Sequence, residues 1–95
     1  MTSEEVAGKL RGHPAWVIER DRVRRDYRFP TFLAALAFVN EVGEVAERVQ
    51  HHPNIRLHEW CFVELELYTH AVGGLSDKDL ELALAIDDAE AAGND

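Results

Sequence analysis

A single cysteine, Cys61, is all the thiol chemistry this chain carries, so it can neither close an internal disulfide nor supply a multi-thiolate metal site. It lies in an apolar stretch and reads as simply buried. Basic residues are also short: ten Lys and Arg against eighteen Asp and Glu leave a formal charge of -8. Such a balance repels phosphate backbones and anionic lipid, which argues against nucleic acid or a membrane as partner. No apolar run approaches the roughly 18 residues needed to span a bilayer. Met1-Thr2-Ser3-Glu4-Glu5 lacks the basic start and greasy centre of a secretory signal, so a soluble, cytoplasmic protein is expected.

What is present suits one folded domain across residues 1–95: 46% of residues are apolar and 29% charged, the balance of a globular chain rather than a disordered one. No internal repeat or low-complexity segment breaks it. The one concentration of positive charge is Arg20, Arg22, Arg24, Arg25 and Arg28, five of the eight arginines, and it reads as the solvated face of a strand.

Hydrophobic periodicity divides the chain. Residues 4–11 place Val6 and Leu10 at helical spacing, a short helix ended by Gly12 and Pro14. Trp16 and Ile18, then Val23, Tyr27 and Phe29, alternate with Arg22, Arg24, Asp26 and Arg28, the pattern of a hairpin with one buried side. Phe32, Leu36, Val39, Val42, Ala46 and Val49 follow at steps of three and four. This predicts an amphipathic helix of about 18 residues with Pro30 near its first turn. It must stop before Pro53, leaving His51 and His52 at its exit. Ile55 and Leu57 alternate with Arg56 and His58, and Val63, Leu65, Leu67 and Thr69 with Phe62, Glu64, Glu66 and Tyr68. These are two more strands. After Gly73-Gly74, Ser76-Asp77-Lys78-Asp79 has the form of a capping box, with Leu75 and Leu80 as its hydrophobic staple. The helix it opens is expected to bury Leu80, Ala83, Leu84 and Ile86, with Ala91 to Asp95 frayed.

The predicted fold is therefore α+β: a four-stranded antiparallel sheet with helices packed on one face, in the order α-β-β-α-β-β-α. The other sheet face is left uncovered. Strict alternation puts Phe62 and Tyr68 there with Glu64, Glu66 and His70, and exposed aromatics on a sheet point to a subunit interface, hence a homodimer or homotetramer.

Four of the five histidines, His51, His52, His58 and His70, fall between residues 51 and 70. Imidazole titrates near pH 6.5 unperturbed, so it gives or takes a proton with little tuning. Spacing alone leaves three readings open. They are ordinary surface or partly buried histidines, a three-histidine metal site that adjacent His51 and His52 would struggle to share, or metal-free acid-base chemistry on a small polar substrate.

Glu47-Arg48-Val49-Gln50-His51-His52-Pro53, then Trp60, His70 and Asp79 at set intervals, with Thr69-His70, Gly73-Gly74-Leu75-Ser76 and Asp79-Leu80 around them, resembles the signature of the pterin-4a-carbinolamine dehydratases. The similarity runs from about Leu10 to Ile86, and the order of helices and strands is also that family's. The resemblance implies loss of water from 4a-hydroxytetrahydropterin to give quinonoid dihydropterin, which recycles the cofactor of aromatic amino acid hydroxylases and requires neither a metal nor a bound cofactor. By match of position, His51 and His70 are the acid and base, and His52 orients the pterin. Glu47, one turn before His51, holds an imidazole or touches the substrate. Asp79 is the closing acid of the signature as well as a capping residue, and Trp16 matches an aromatic near the family's pocket. The resemblance also implies a rival role without catalysis, since members serve as dimerisation factors of a transcription factor or assist Rubisco assembly.

Overall fold

The computed structural model describes residues 2–10 and 15–93. Along the chain run α1 (Ser3–Leu10), β1 (Val17–Glu19), β2 (Arg22–Arg28), α2 (Phe32–Val49), β3 (Asn54–His58), β4 (Phe62–Leu67), a single 3-10 turn (His70–Val72) and α3 (Asp77–Gly93). The strands form one antiparallel sheet in the order β1-β2-β4-β3. The α+β architecture is the expected one. The predicted stop of α1 at Gly12 and Pro14 lies outside the described residues, and α3 continues to Gly93, past the expected fraying point at Ala91.

Alternation sorts the sheet. On central strand β4, Val63, Leu65 and Leu67 are buried beneath the helices, while Phe62, Glu64 and Glu66 face the open side. On that side Arg22 pairs with Glu66, Arg24 with Glu19 and Asp26, and Arg56 with Glu64. The arginine run is thus largely the charged outer face of β2. Arg25 is the exception. It sits on the helix side, only 16% exposed, where Asp87 Oδ1 at 2.7 Å and Glu90 Oε2 at 3.0 Å on α3 neutralise it.

Helix α2 opens with the Thr31 hydroxyl accepting the Ala34 N–H at 3.1 Å. Its buried stripe is Ala35, Phe38, Val42, Val45 and Ala46, whereas Phe32 and Leu36, expected inside, are 47% and 37% exposed. Steps of three and four allow either of two overlapping stripes, and Phe38 decides between them. Its ring packs 4.4 Å from Tyr27 and 5.0 Å from Phe29, and burying a side chain of that size is worth about 1.5–3 kcal/mol. In α3 the inward residues are Leu82, Ala83 and Ile86, with Leu84 37% exposed. That stripe, continued one turn back, passes through Asp79, which is wholly buried. No apolar periodicity can announce a carboxylate on the buried face.

His70 is not on a strand. Pairing with β2 and β3 ends at Leu67, and Thr69 bridges to Gly74 instead (N–H to carbonyl, 2.9 Å). The turn this encloses starts at His70 and closes at Gly73, whose φ of 64° is easy only for glycine.

Candidate active site

Gln50 ends α2 in the left-handed conformation at φ 59°, and its N–H together with that of His51 (3.1 Å) returns to the Ala46 carbonyl. This cap turns the chain sharply, sending His51 inward and His52 outward. The His51 side chain is 15% exposed and its Nε2 lies 2.6 Å from Oδ1 of Asp79.

Asp79 is the third residue of α3, with Ser76 at the cap. Its Oδ2 accepts the Ser76 backbone N–H at 3.0 Å, as the expected capping box requires. The same oxygen accepts the Thr69 hydroxyl at 2.6 Å. Thr69 Oγ1 in turn is 2.8 Å from Ser76 Oγ and 3.5 Å from His51 Nε2. A buried carboxylate survives only with such partners, and the N-terminal end of a helix favours its charge further. Both oxygens of the carboxylate accept, so its bond to His51 calls for the proton on Nε2. Nδ1 is then the imidazole position left for chemistry. Asp79 is wholly enclosed, and its contacts are those of the capping residue that the sequence offers beside a place among the substrate-binding residues.

His52 meets Glu47, Nε2 to Oε2 at 2.6 Å, with both side chains well exposed. Glu47 therefore does hold an imidazole, that of His52. His70 follows Thr69 directly and stands exposed, its ring 4.7 Å from that of Tyr68 in an edge-on arrangement. His51, Thr69 and Asp79 are thereby gathered where the end of α2, the exit of β4 and the start of α3 meet, and His70 follows Thr69 in the chain with its ring against Tyr68.

Other expected residues sit apart. Trp16 is buried, with its indole N–H given to Asp87 Oδ1 at 3.0 Å and the Arg25 guanidinium 5.6 Å from its ring. Its contacts are those of a core tryptophan tying α3 to the sheet. His58 stacks on Phe62 at 5.5 Å on the open face. Trp60 stands exposed at the β3–β4 hairpin tip with a left-handed backbone, φ 59°. Among the described residues, no group of three or more His, Cys, Asp and Glu side chains is placed to hold a metal ion. Sequence reasoning missed the role of Thr69. Its signal was a hydroxyl on the apolar side of β4, continuing Val63, Leu65 and Leu67.

The family model of pterin 4 alpha carbinolamine dehydratase matches residues 1–89. A Mycobacteroides abscessus protein bearing the provisional name pterin-4-alpha-carbinolamine dehydratase is 41% identical over 87 residues, covering 92% of each chain. One from Gloeobacter violaceus, provisionally named dehydratase 2, is 43% identical over 90 residues, 90% of this chain and 97% of that one. The crystal structure of a transcriptional coactivator/pterin dehydratase from Brucella melitensis superposes with a TM-score of 0.78 at 26% identity, over 94% of this chain and 96% of that one. A pterin dehydratase-like RuBisCO assembly factor of the alpha-carboxysome shares the fold, with a TM-score of 0.60 at 16% identity, over 78% and 84%. The chain belongs to the pterin-4-alpha-carbinolamine dehydratase family.

Proposed function

We propose that this protein dehydrates 4a-hydroxytetrahydropterin to quinonoid dihydropterin by histidine acid-base catalysis. The observation that carries the reading is the 2.6 Å bond between His51 Nε2 and the enclosed Asp79 carboxylate, an expensive arrangement for a histidine with nothing to do. It fixes ring and tautomer together. The reaction asks for a proton on the departing 4a-oxygen and removal of one from a pterin ring nitrogen. When the C–O bond breaks, water leaves and the ring nitrogen's electron pair forms the new double bond. His51 and His70 act as acid and base in this step, imidazole being the side-chain type suited to passing a proton near neutral pH. His52, steadied by Glu47, orients the pterin.

An aromatic amino acid hydroxylase in the cytoplasm is the source of such a substrate. Assembly as a homodimer or homotetramer is supported less by the open sheet face, where charges pair in place, than by the exposed Phe32, Leu33 and Leu36 of α2. Single replacement of His51 or of His70 by Ala should lower turnover by about 10² or more with the fold intact. Unchanged turnover in both would remove them from catalysis, and no acceleration by the native protein would shift the reading to a non-catalytic assembly or dimerisation factor on the same fold.

A further inference from the structure

Tyr68 was expected to be an interface aromatic. Its surroundings give it another task. One step beyond the last paired residues of β2 and β4, Val23 and Leu67, the register sets Arg22 opposite Tyr68. The Arg22 guanidinium lies 4.4 Å over the Tyr68 ring centroid. Arg22 is itself anchored, Nη1 to Glu66 Oε1 at 2.6 Å, and the same oxygen accepts Asn54 Nδ2 at 3.0 Å from β3. Three strands thus converge on one ring, and the edge-on partner of that ring, 4.7 Å away, is the imidazole of His70.

We propose that Tyr68, clamped by Arg22 and Glu66, is the positioning residue of His70. His51 has a buried carboxylate to hold it and His52 has Glu47, whereas His70 lies on an exposed turn where its ring would otherwise sample several rotamers. A flat aromatic wall restricts that ring without claiming either nitrogen, which leaves both free for proton transfer. The clamp persists through neutral pH. Asn54's hydrogen bond, and then Arg22, hold the Glu66 carboxyl below the usual carboxylate range, so the anion that anchors Arg22 is present at neutral pH. The inference rests on His70 acting in the dehydration.

The test combines histidine NMR with steady-state kinetics on Tyr68→Leu and Tyr68→Phe, and on His70→Ala as control. In Tyr68→Leu the ring-current shift of the His70 carbon-bound protons should vanish and kcat should fall about tenfold or more with KM little changed, because misplacement of a reacting group by an ångström is that costly. Tyr68→Phe should retain both. Arg22→Gln should give a smaller shift change in the same direction. His70 shifts and kcat unaltered in Tyr68→Leu, or lost equally in Tyr68→Phe, overturn the proposal. Full turnover in His70→Ala overturns the catalytic reading itself, whatever Tyr68 does to the spectrum.

Discussion

His51 Nε2 and Asp79 Oδ1 stand 2.6 Å apart across 28 positions of sequence, and the carboxylate at one end of that bond has no exposure to solvent. The pair joins the exit of α2 to the entry of α3, and in the proposed reaction the same bond orients the His51 ring. Asp79→Asn keeps the shape but turns one acceptor into a donor, facing either the His51 N–H or the Thr69 and Ser76 donors. Stability should fall by about 1–3 kcal/mol, read from urea unfolding, and turnover by about 10–100-fold. A fully active, fully stable Asn variant would contradict the assignment.

The second imidazole pair differs, because His52 and Glu47 are both well exposed. Exposed pairs contribute at most about 1 kcal/mol. Glu47→Gln and His52→Ala should therefore leave the melting temperature nearly unchanged while raising KM more than they lower kcat. A loss confined to kcat would move His52 into the proton-transfer step.

Alkaline stability should depend on Tyr27. Burial raises its hydroxyl pKa well above the ordinary value near 10, against Arg25's cation and with Glu90 and Asp87 adding to the rise. The folded state then holds this proton more tightly than the unfolded one, so above about pH 10 the unfolded chain gains by ionising and stability declines as pH rises. Tyr27→Phe should remove that part of the decline. Parallel unfolding curves for both proteins between neutral pH and pH 11 would show that Tyr27 is not the group concerned.

Activity should be indifferent to chelators, since the acid-base account uses imidazoles alone. Assays after prolonged treatment with EDTA check this. Activity lost on chelation and restored by zinc would return the three-histidine metal reading to the front.

Much of this was legible in the residues, and where it was not, the reasons are physical. Alternation placed Val63, Leu65 and Leu67 beneath the helices, because a strand's period of two leaves no choice once one face is apolar. Helical periodicity was less decisive: Phe32 and Leu36 fit the predicted stripe of α2 as well as Ala35 and Phe38, and only contact with Tyr27 and Phe29 selects the rotation. Asp79 was recognised as a cap, but its bond to His51 needed the tertiary fold, as did the pairing of Glu47 with His52. His70 left its expected strand because Thr69 pairs with Gly74, a bridge that Gly73-Gly74 only hinted at. Trp16 found Asp87, a partner 71 residues away, which local pattern cannot reveal.

The most direct test of the central claim is the dehydration rate of enzymatically generated 4a-hydroxytetrahydropterin, followed by ultraviolet absorbance, with the native protein and with the folded His51→Ala, His70→Ala double variant. The account predicts acceleration by the native protein that disappears in the variant. No acceleration by the native protein across neutral pH, or equal acceleration by both, would contradict it.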